Sequence, residues 1–339
     1  MKYPKKLEIG DTISFVAPSF GAAVDPYYSR LKSAEKKWKR LGYNVILENN
    51  ALLAQLPYLS NTPELIAKEL MEAYSHSDCL ISVGGGEMQL ETLPFIDFVK
   101  LKESEPKWFV GFSDNTNFIF PLLTVSDTAS IYGPCAGSFG MYKWHPCIHD
   151  CYSLLTGSNY ELSGYEKYES KKSQYQKMHY LAGYNLNKPK ILRRIPDSDS
   201  SFSGRLIGGC LDVLLCHIGT KYDNTLNFLE RYKDDGYIWA LDACDLSVLS
   251  IRRALFQLRE AGWFKYAKGF LIGRPLAAFD ECAFGIDRFS ALEPISEIGV
   301  PIIADFDFGH MNPSMPLIMG SVAKVTTRDN DVFVKMELK

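Results

Sequence analysis

Short apolar runs alternate with amphipathic stretches along the first 150 residues. "TISFVAP" (Thr12–Pro18) reads as a β-strand that ends at Pro18–Ser19. "YYSRLKSAEKKWKRLGY" follows, with apolar positions at helical spacing and Gly42 as a stop. "NVILE" is a second strand, and "TPELIAKELMEAYSH" is a helix with Thr62 as N-cap and Pro63 at its first position. "CLISVGGG" and "KWFVGFS" are further strands, each running into small or polar residues. Strands separated by helices predict βαβ units and a mostly parallel sheet. Ligands of such sheets bind beyond the carboxyl ends of the strands. Three ends draw attention there: Pro18–Ser19, Gly84–Gly86 and Gly111–Ser113.

The pattern breaks at about residue 158. Residues 158–203 are rich in Tyr, Lys, Ser and Asn and are expected to be a linker and loop-rich excursion. Residues 160–180, with many Tyr and Lys, are a candidate loop over the site that would set specificity. Apolar periodicity then resumes in "GRLIGGCLDVLLCHIGT", "YIWALDA", "SIRRALFQLREAGWF" and "KGFLIGRP", and the chain closes on the strands "SVAKVTT" and "VFVKMEL". The expected organisation is an α/β domain over 1–157, the excursion over 158–203, and a second α/β domain with a β-rich tail over 204–339.

Composition narrows the function classes. The 339 residues carry 37 basic and 40 acidic side chains, net −3, so no clustered basic excess suits nucleic acid or an anionic membrane. No apolar run approaches the roughly 20 residues of a membrane span. "MKYPKKLEIGD" has no apolar stretch behind its lysines and does not read as a signal peptide. Eight scattered cysteines in a chain this long read as reduced cytosolic thiols, which points to a cytoplasmic protein. "HPCIHDC" spaces His145, Cys147, His149 and Cys151 at alternate positions. On a strand they would share a face and could hold zinc, but the "YSLLTG" that follows reads as helix, which splits them. No metal or other cofactor is expected.

Candidate chemistry begins with Ser113 in "FVGFSDNTNF". It is either the N-cap of the next helix or a nucleophile raised on a strand–turn–helix elbow. The motif is not GxSxG, because Asn115 stands where the second glycine would. A serine nucleophile needs a base and a group to orient it. Of the six histidines, His310 is mounted best, in a Gly309–His310 turn pinned by Pro313 and Pro316. Asp242 ends the apolar strand "YIWALD"; a buried acid there needs a partner, and an imidazole N–H would serve. Asp245 is its rival, unless it caps the helix that begins near Ser247. An oxyanion hole could be built from the Asp114 N–H and the glycines of "SVGGGE".

Taken together, "GDTISFVAPS", "ISVGGGEMQLETLPFIDF", "WFVGFSDNT", "IYGP", "GRLIGGCLDVL", "LDACD…IRRALFQL…G" and "FGHMNPSMPLIMG" resemble the serine peptidase family of LD-carboxypeptidases and microcin C immunity peptidases. The resemblance runs in order from residue 10 to about residue 320. It implies an N-terminal flavodoxin-like parallel-sheet sandwich, a C-terminal α/β domain, a homodimer and a metal-free Ser–Glu–His triad. It places the nucleophile at Ser113 and the base at His310. The oxyanion hole falls to Gly86 and Asp114, and substrate contacts to Gly85, Glu87 and Cys210. The implied substrate is a murein tetrapeptide cut before its terminal D-Ala, as in peptidoglycan recycling, or a peptide–nucleotide. Two departures stand out. The family's triad Glu is Asp242 here, one methylene shorter, which is expected to leave the acid about an ångström short of His310 and the hydrogen bond weak. Cys210 stands where the family often has an amide, and a non-catalytic binding relative is the further alternative.

Overall fold

Thr12–Val16 (β1), Asn44–Leu47 (β2), Cys79–Ser82 (β3), Trp108–Gly111 (β4) and Ser130–Tyr132 (β5) are the short apolar runs of the first half. A computed structural model, which describes residues 1–170 and 179–339, pairs them all in parallel. The sheet order is β2-β1-β3-β4-β5, the flavodoxin-like order. Every residue of β3 and β4 is buried, as expected for strands covered on both faces. The helices that follow these strands in turn are Tyr27–Arg40 (α1), Pro63–His76 (α2), Phe98–Glu103 (α3), Thr116–Thr124 (α4) and Pro146–Thr156 (α5). α1 buries Leu31, Ala34 and Trp38, one helical stripe, and exposes Lys36 and Lys39. Thr62 does stand at the N-cap of α2, but its side chain makes no capping bond; instead Asn61 accepts from the Thr62 N–H at 2.8 Å.

The second half forms its own sheet. Its elements are Glu161–Ser163 (β6), Lys167–Tyr168 (β7), Lys188–Pro189 (β8), Arg193–Ile195 (β9), Ser201–Cys210 (β10), Leu211–His217 (α6), Thr225–Arg231 (α7), Tyr237–Asp242 (β11), Val248–Glu260 (α8), Ala267–Gly273 (β12), Glu293–Ser296 (α9), Ile302–Phe306 (β13), Leu317–Met319 (β14), Val322–Arg328 (β15) and Asp331–Glu337 (β16). β14 adds to the first sheet beyond β5. The other long strands build an eight-stranded sheet in the order β6-β16-β15-β10-β11-β12-β13-β9. Its centre, β10 to β13, is parallel, and the flanks are antiparallel. All six residues of β11 are buried, and Trp239 stacks on Trp263 with ring centroids 5.8 Å apart.

Two compact units result. One holds Met1–Asn159 and Pro316–Ile318; the other holds Tyr184–Met315 and Met319–Lys339, with the segment that starts at Tyr160. The expected linker over 158–203 is therefore corrected. It supplies β6 and β9, the two edge strands of the second sheet, and the β7–β8 ribbon. Its polar composition suits strands with one wet face or an exposed edge, which mimic a loop when read by composition alone. Part of the loop expected over 160–180, residues 171–178, lies outside the described residues. Among the described residues, no helix is long and apolar enough to cross a membrane.

Candidate functional site

In the first unit, the three strand ends singled out by sequence come together. Ser113 is the first residue of a short 3-10 turn, Ser113–Asn115, between β4 and α4. It is not the cap: Asn115 holds that position before α4 and Phe112 before the turn, and Ser113 has φ +62°, in the left-handed region. A non-glycine residue there costs about 1–3 kcal/mol and persists only where its surroundings hold it. The Ser113 N–H donates to the Tyr132 hydroxyl at 3.0 Å, and the Asn115 amide donates to the carbonyls of Gly84 (3.0 Å) and Phe112 (2.8 Å). The serine is half-buried.

The glycine loop lies against it. A Cβ added to Gly85 would stand 3.1 Å from Ser113 Cβ and 3.2 Å from its Oγ. The Gly85 carbonyl accepts from Phe20 N–H at 3.1 Å, so the Gly86 N–H, across the same planar peptide, points the opposite way. Gly86 itself has φ +157°, and a Cβ there would fall 2.0 Å from Ser19 Oγ. Glu87 is exposed. Sequence reasoning valued Asp114 for its N–H alone and missed its carboxylate. That group is buried and accepts from the Ser19 hydroxyl, the Gln89 N–H (2.9 Å) and the Asn117 amide (2.8 Å), tying three segments together. Burial pushes its pKa up, and those three donors pull against the shift.

In the second unit, the carboxyl ends of the parallel strands carry the other candidates. Cys210 ends β10 and Asp242 ends β11, and the two are register partners. His310 follows β13 by four residues, and its Nδ1–H donates to Asp242 Oδ2. The expected ångström shortfall is thus corrected. Gly309 explains the reach: at φ +91° it presses so close that a Cβ there would lie 2.3 Å from Asp242 Cβ. Backbone approach replaces the missing methylene. Burial opposes charging the imidazole, but the Asp242 carboxylate, helped by the Cys244 thiol, holds the His310 pKa well above its ordinary value. Asp245 is not the acid at His310, nor is it a helix cap. Ser247 caps α8, its side chain accepting from Ser250 N–H, while the N–H groups of Cys244 (3.0 Å) and Asp245 (2.9 Å) donate to the Asp212 carboxylate. Asp212, unnoticed in the sequence, fixes the turn that follows Asp242.

The remaining histidines have other duties. His145 caps α5, accepting from Cys147 N–H, so "HPCIHDC" is a helix start. His217 is buried, and burial pushes its pKa down to about 4. His76 meets Glu48 at 2.9 Å, and His179 stacks on Tyr142.

Residues 13–133 match the LD-carboxypeptidase N-terminal domain family, and residues 203–325 match the LD-carboxypeptidase C-terminal domain family. A Vibrio cholerae protein named "Putative carboxypeptidase" is 25% identical over 98% of this chain and 97% of its own. The microcin C7 self-immunity protein MccF of Escherichia coli is 26% identical over 93% of this chain and 90% of its own. A solved structure of MccF in complex with aspartyl sulfamoyl adenosine superimposes with a TM-score of 0.81 at 21% identity, covering 99% of this chain and 98% of that one. That likeness carries the fold.

Proposed function

We propose that this chain, which belongs to the LD-carboxypeptidase family of peptidases, is a serine-type peptidase that hydrolyses an amide bond near a free C-terminus. The observation that carries the reading is Ser113, a non-glycine residue held at φ +62° where a parallel strand meets a helix. Strain of that kind marks functional positions, and a serine so placed presents its hydroxyl beyond the sheet. Ser113 Oγ attacks the scissile carbonyl and passes its proton to His310. The N–H groups of Gly86 and Asp114 receive the oxyanion, and among the described residues the Gly86 N–H has no other partner. Collapse of the tetrahedral adduct sends the His310 proton to the leaving amine, and water then hydrolyses the acyl-enzyme. Asp242 keeps the imidazole in the right tautomer and stabilises its charged form, the role of a triad carboxylate.

The substrate we favour is a murein tetrapeptide ending in D-Ala. A second reading, a peptide–nucleotide cut beside its aspartyl unit, is favoured by the MccF structure holding aspartyl sulfamoyl adenosine. The test incubates the protein and Ser113→Ala with an L-Lys–D-Ala-terminated tetrapeptide and, separately, with aspartyl sulfamoyl adenosine, and follows products by mass spectrometry. D-Ala release by the unmutated protein alone supports the first substrate. Cleavage of the sulfamoyl nucleotide alone supports the second. Equal turnover by Ser113→Ala, or none by either protein, overturns the serine-peptidase reading.

A further inference from the structure

The second unit gathers more at Asp242 than a base's partner. Register partners on adjacent parallel strands point their side chains to the same face of the sheet, so the Cys210 thiol stands beside the Asp242 carboxylate. His310 comes to the same point: one ligating atom from each of Cys210, Asp242 and His310 lies within 4.8 Å of the others. Two residues past Asp242, the Cys244 thiol hydrogen-bonds the His310 ring. The turn bearing Cys244 is fixed by its N–H bond to Asp212. Two thiols, an imidazole and a carboxylate are donors that zinc accepts in four-coordinate sites. Bonds of 2.0–2.3 Å in a tetrahedron separate ligand atoms by roughly 3.3–3.8 Å. The trio therefore closes on a cation by side-chain shifts of about an ångström.

We propose that Cys210, Asp242, Cys244 and His310 form a binding site for a soft divalent cation, Zn²⁺ first, whose occupancy takes His310 and Asp242 out of their mutual hydrogen bond and so silences the base. The binding itself does not depend on the hydrolytic reading, because all four ligands belong to one unit and none acts on substrate in order to bind metal. Cys210 and Asp242 are buried, while Cys244 and His310 are half-buried and offer the side of entry. Coordination sends the proton of each thiol, and that of the imidazolium, to solvent, leaving two thiolates, a neutral imidazole and a carboxylate around the dication.

The experiment titrates the chelator-stripped full chain with Co²⁺, then displaces it with Zn²⁺ against a chromophoric competitor. The expected result is one metal per chain, with thiolate-to-cobalt charge-transfer absorption that Zn²⁺ abolishes. Cys210→Ser and Cys244→Ala should each cut the band to about half at saturating Co²⁺, one thiolate remaining, and weaken Zn²⁺ binding by at least about tenfold, with circular dichroism unchanged. Cys282→Ser, at an exposed thiol, should bind as the unmutated chain does. Should Cys210→Ser destabilise the buried strand end, Cys244→Ala, at a half-buried turn, decides alone. Absence of stoichiometric binding, or an undiminished band in Cys244→Ala, overturns the proposal and assigns any metal to other thiols.

Discussion

Each unit holds a buried acid at or just past the carboxyl end of a parallel strand, and the two acids are held in opposite ways. Asp114 is bound by a hydroxyl, a backbone N–H and an amide, none of which titrates near neutrality. Asp242 is bound by an imidazole, which does. An acid among fixed neutral donors staples loops, here the ends of β1, β3 and β4. An acid against a titrating ring sets where a proton rests. The contrast teaches that burial of a carboxylate says little about its role until its partner is known, because both are almost fully enclosed.

The contrast can be broken at either end. Ser113→Ala should have the largest effect, lowering kcat by about six orders of magnitude if Ser113 is the nucleophile. A loss under about tenfold, in the same assay, would reduce the elbow of the first unit to a packing feature. Asp242→Ala comes next, with an expected loss of about 10⁴ in kcat, while Asp245→Ala should cost almost nothing. Reversal of that order would move the triad acid to Asp245.

Smaller effects sharpen it. Gly309→Ala drives a Cβ into Asp242 at a backbone angle that alanine resists, so it should destabilise by about 2–3 kcal/mol, read by chemical denaturation. Unchanged stability would show that the close approach is not what brings the shorter acid to His310. The pH profile follows from the His310 shift. Only the neutral imidazole accepts the serine proton, and Asp242 favours the charged form. Activity should therefore rise with pH with a midpoint above histidine's ordinary 6.5 or so, and Asp242→Asn should move that midpoint down. A midpoint unmoved by Asp242→Asn would sever the pair from the reaction. Asp242→Glu should matter least. A cavity of about 20 Å³ borders Asp242 and Gly273, roughly enough for the extra methylene. Its stability should stay within about 1.5 kcal/mol of the parent and its hydrolysis should persist.

Legibility differed between strands and contacts. Strands β1, β3, β4, β11 and β12 were readable because largely buried parallel strands are near-continuous apolar runs. Ser113, Asp242 and His310 were readable because each is a polar residue at an apolar strand's end or in a proline-pinned turn beyond one. β6 and β9 were not, since an edge strand of two or three residues with polar neighbours has no period to detect. Asp212 and Cys244 were missed for a different reason: nothing in a linear sequence tells that a helix's first turn will receive the N–H groups of a turn some thirty residues later.

The amino-acid sequence by itself determined the buried strands, their mostly parallel pairing, and the residue types offered at their carboxyl ends. Local periodicity and turn chemistry are short-range, so they are written where they act. The tertiary structure alone decided that Ser113 is left-handed rather than a cap, that Asp114 joins three strand ends, and that Asp242 reaches His310 despite its shorter side chain. Those outcomes rest on backbone approach at Gly85 and Gly309, and sub-ångström differences in such approach arise from packing across the whole sheet.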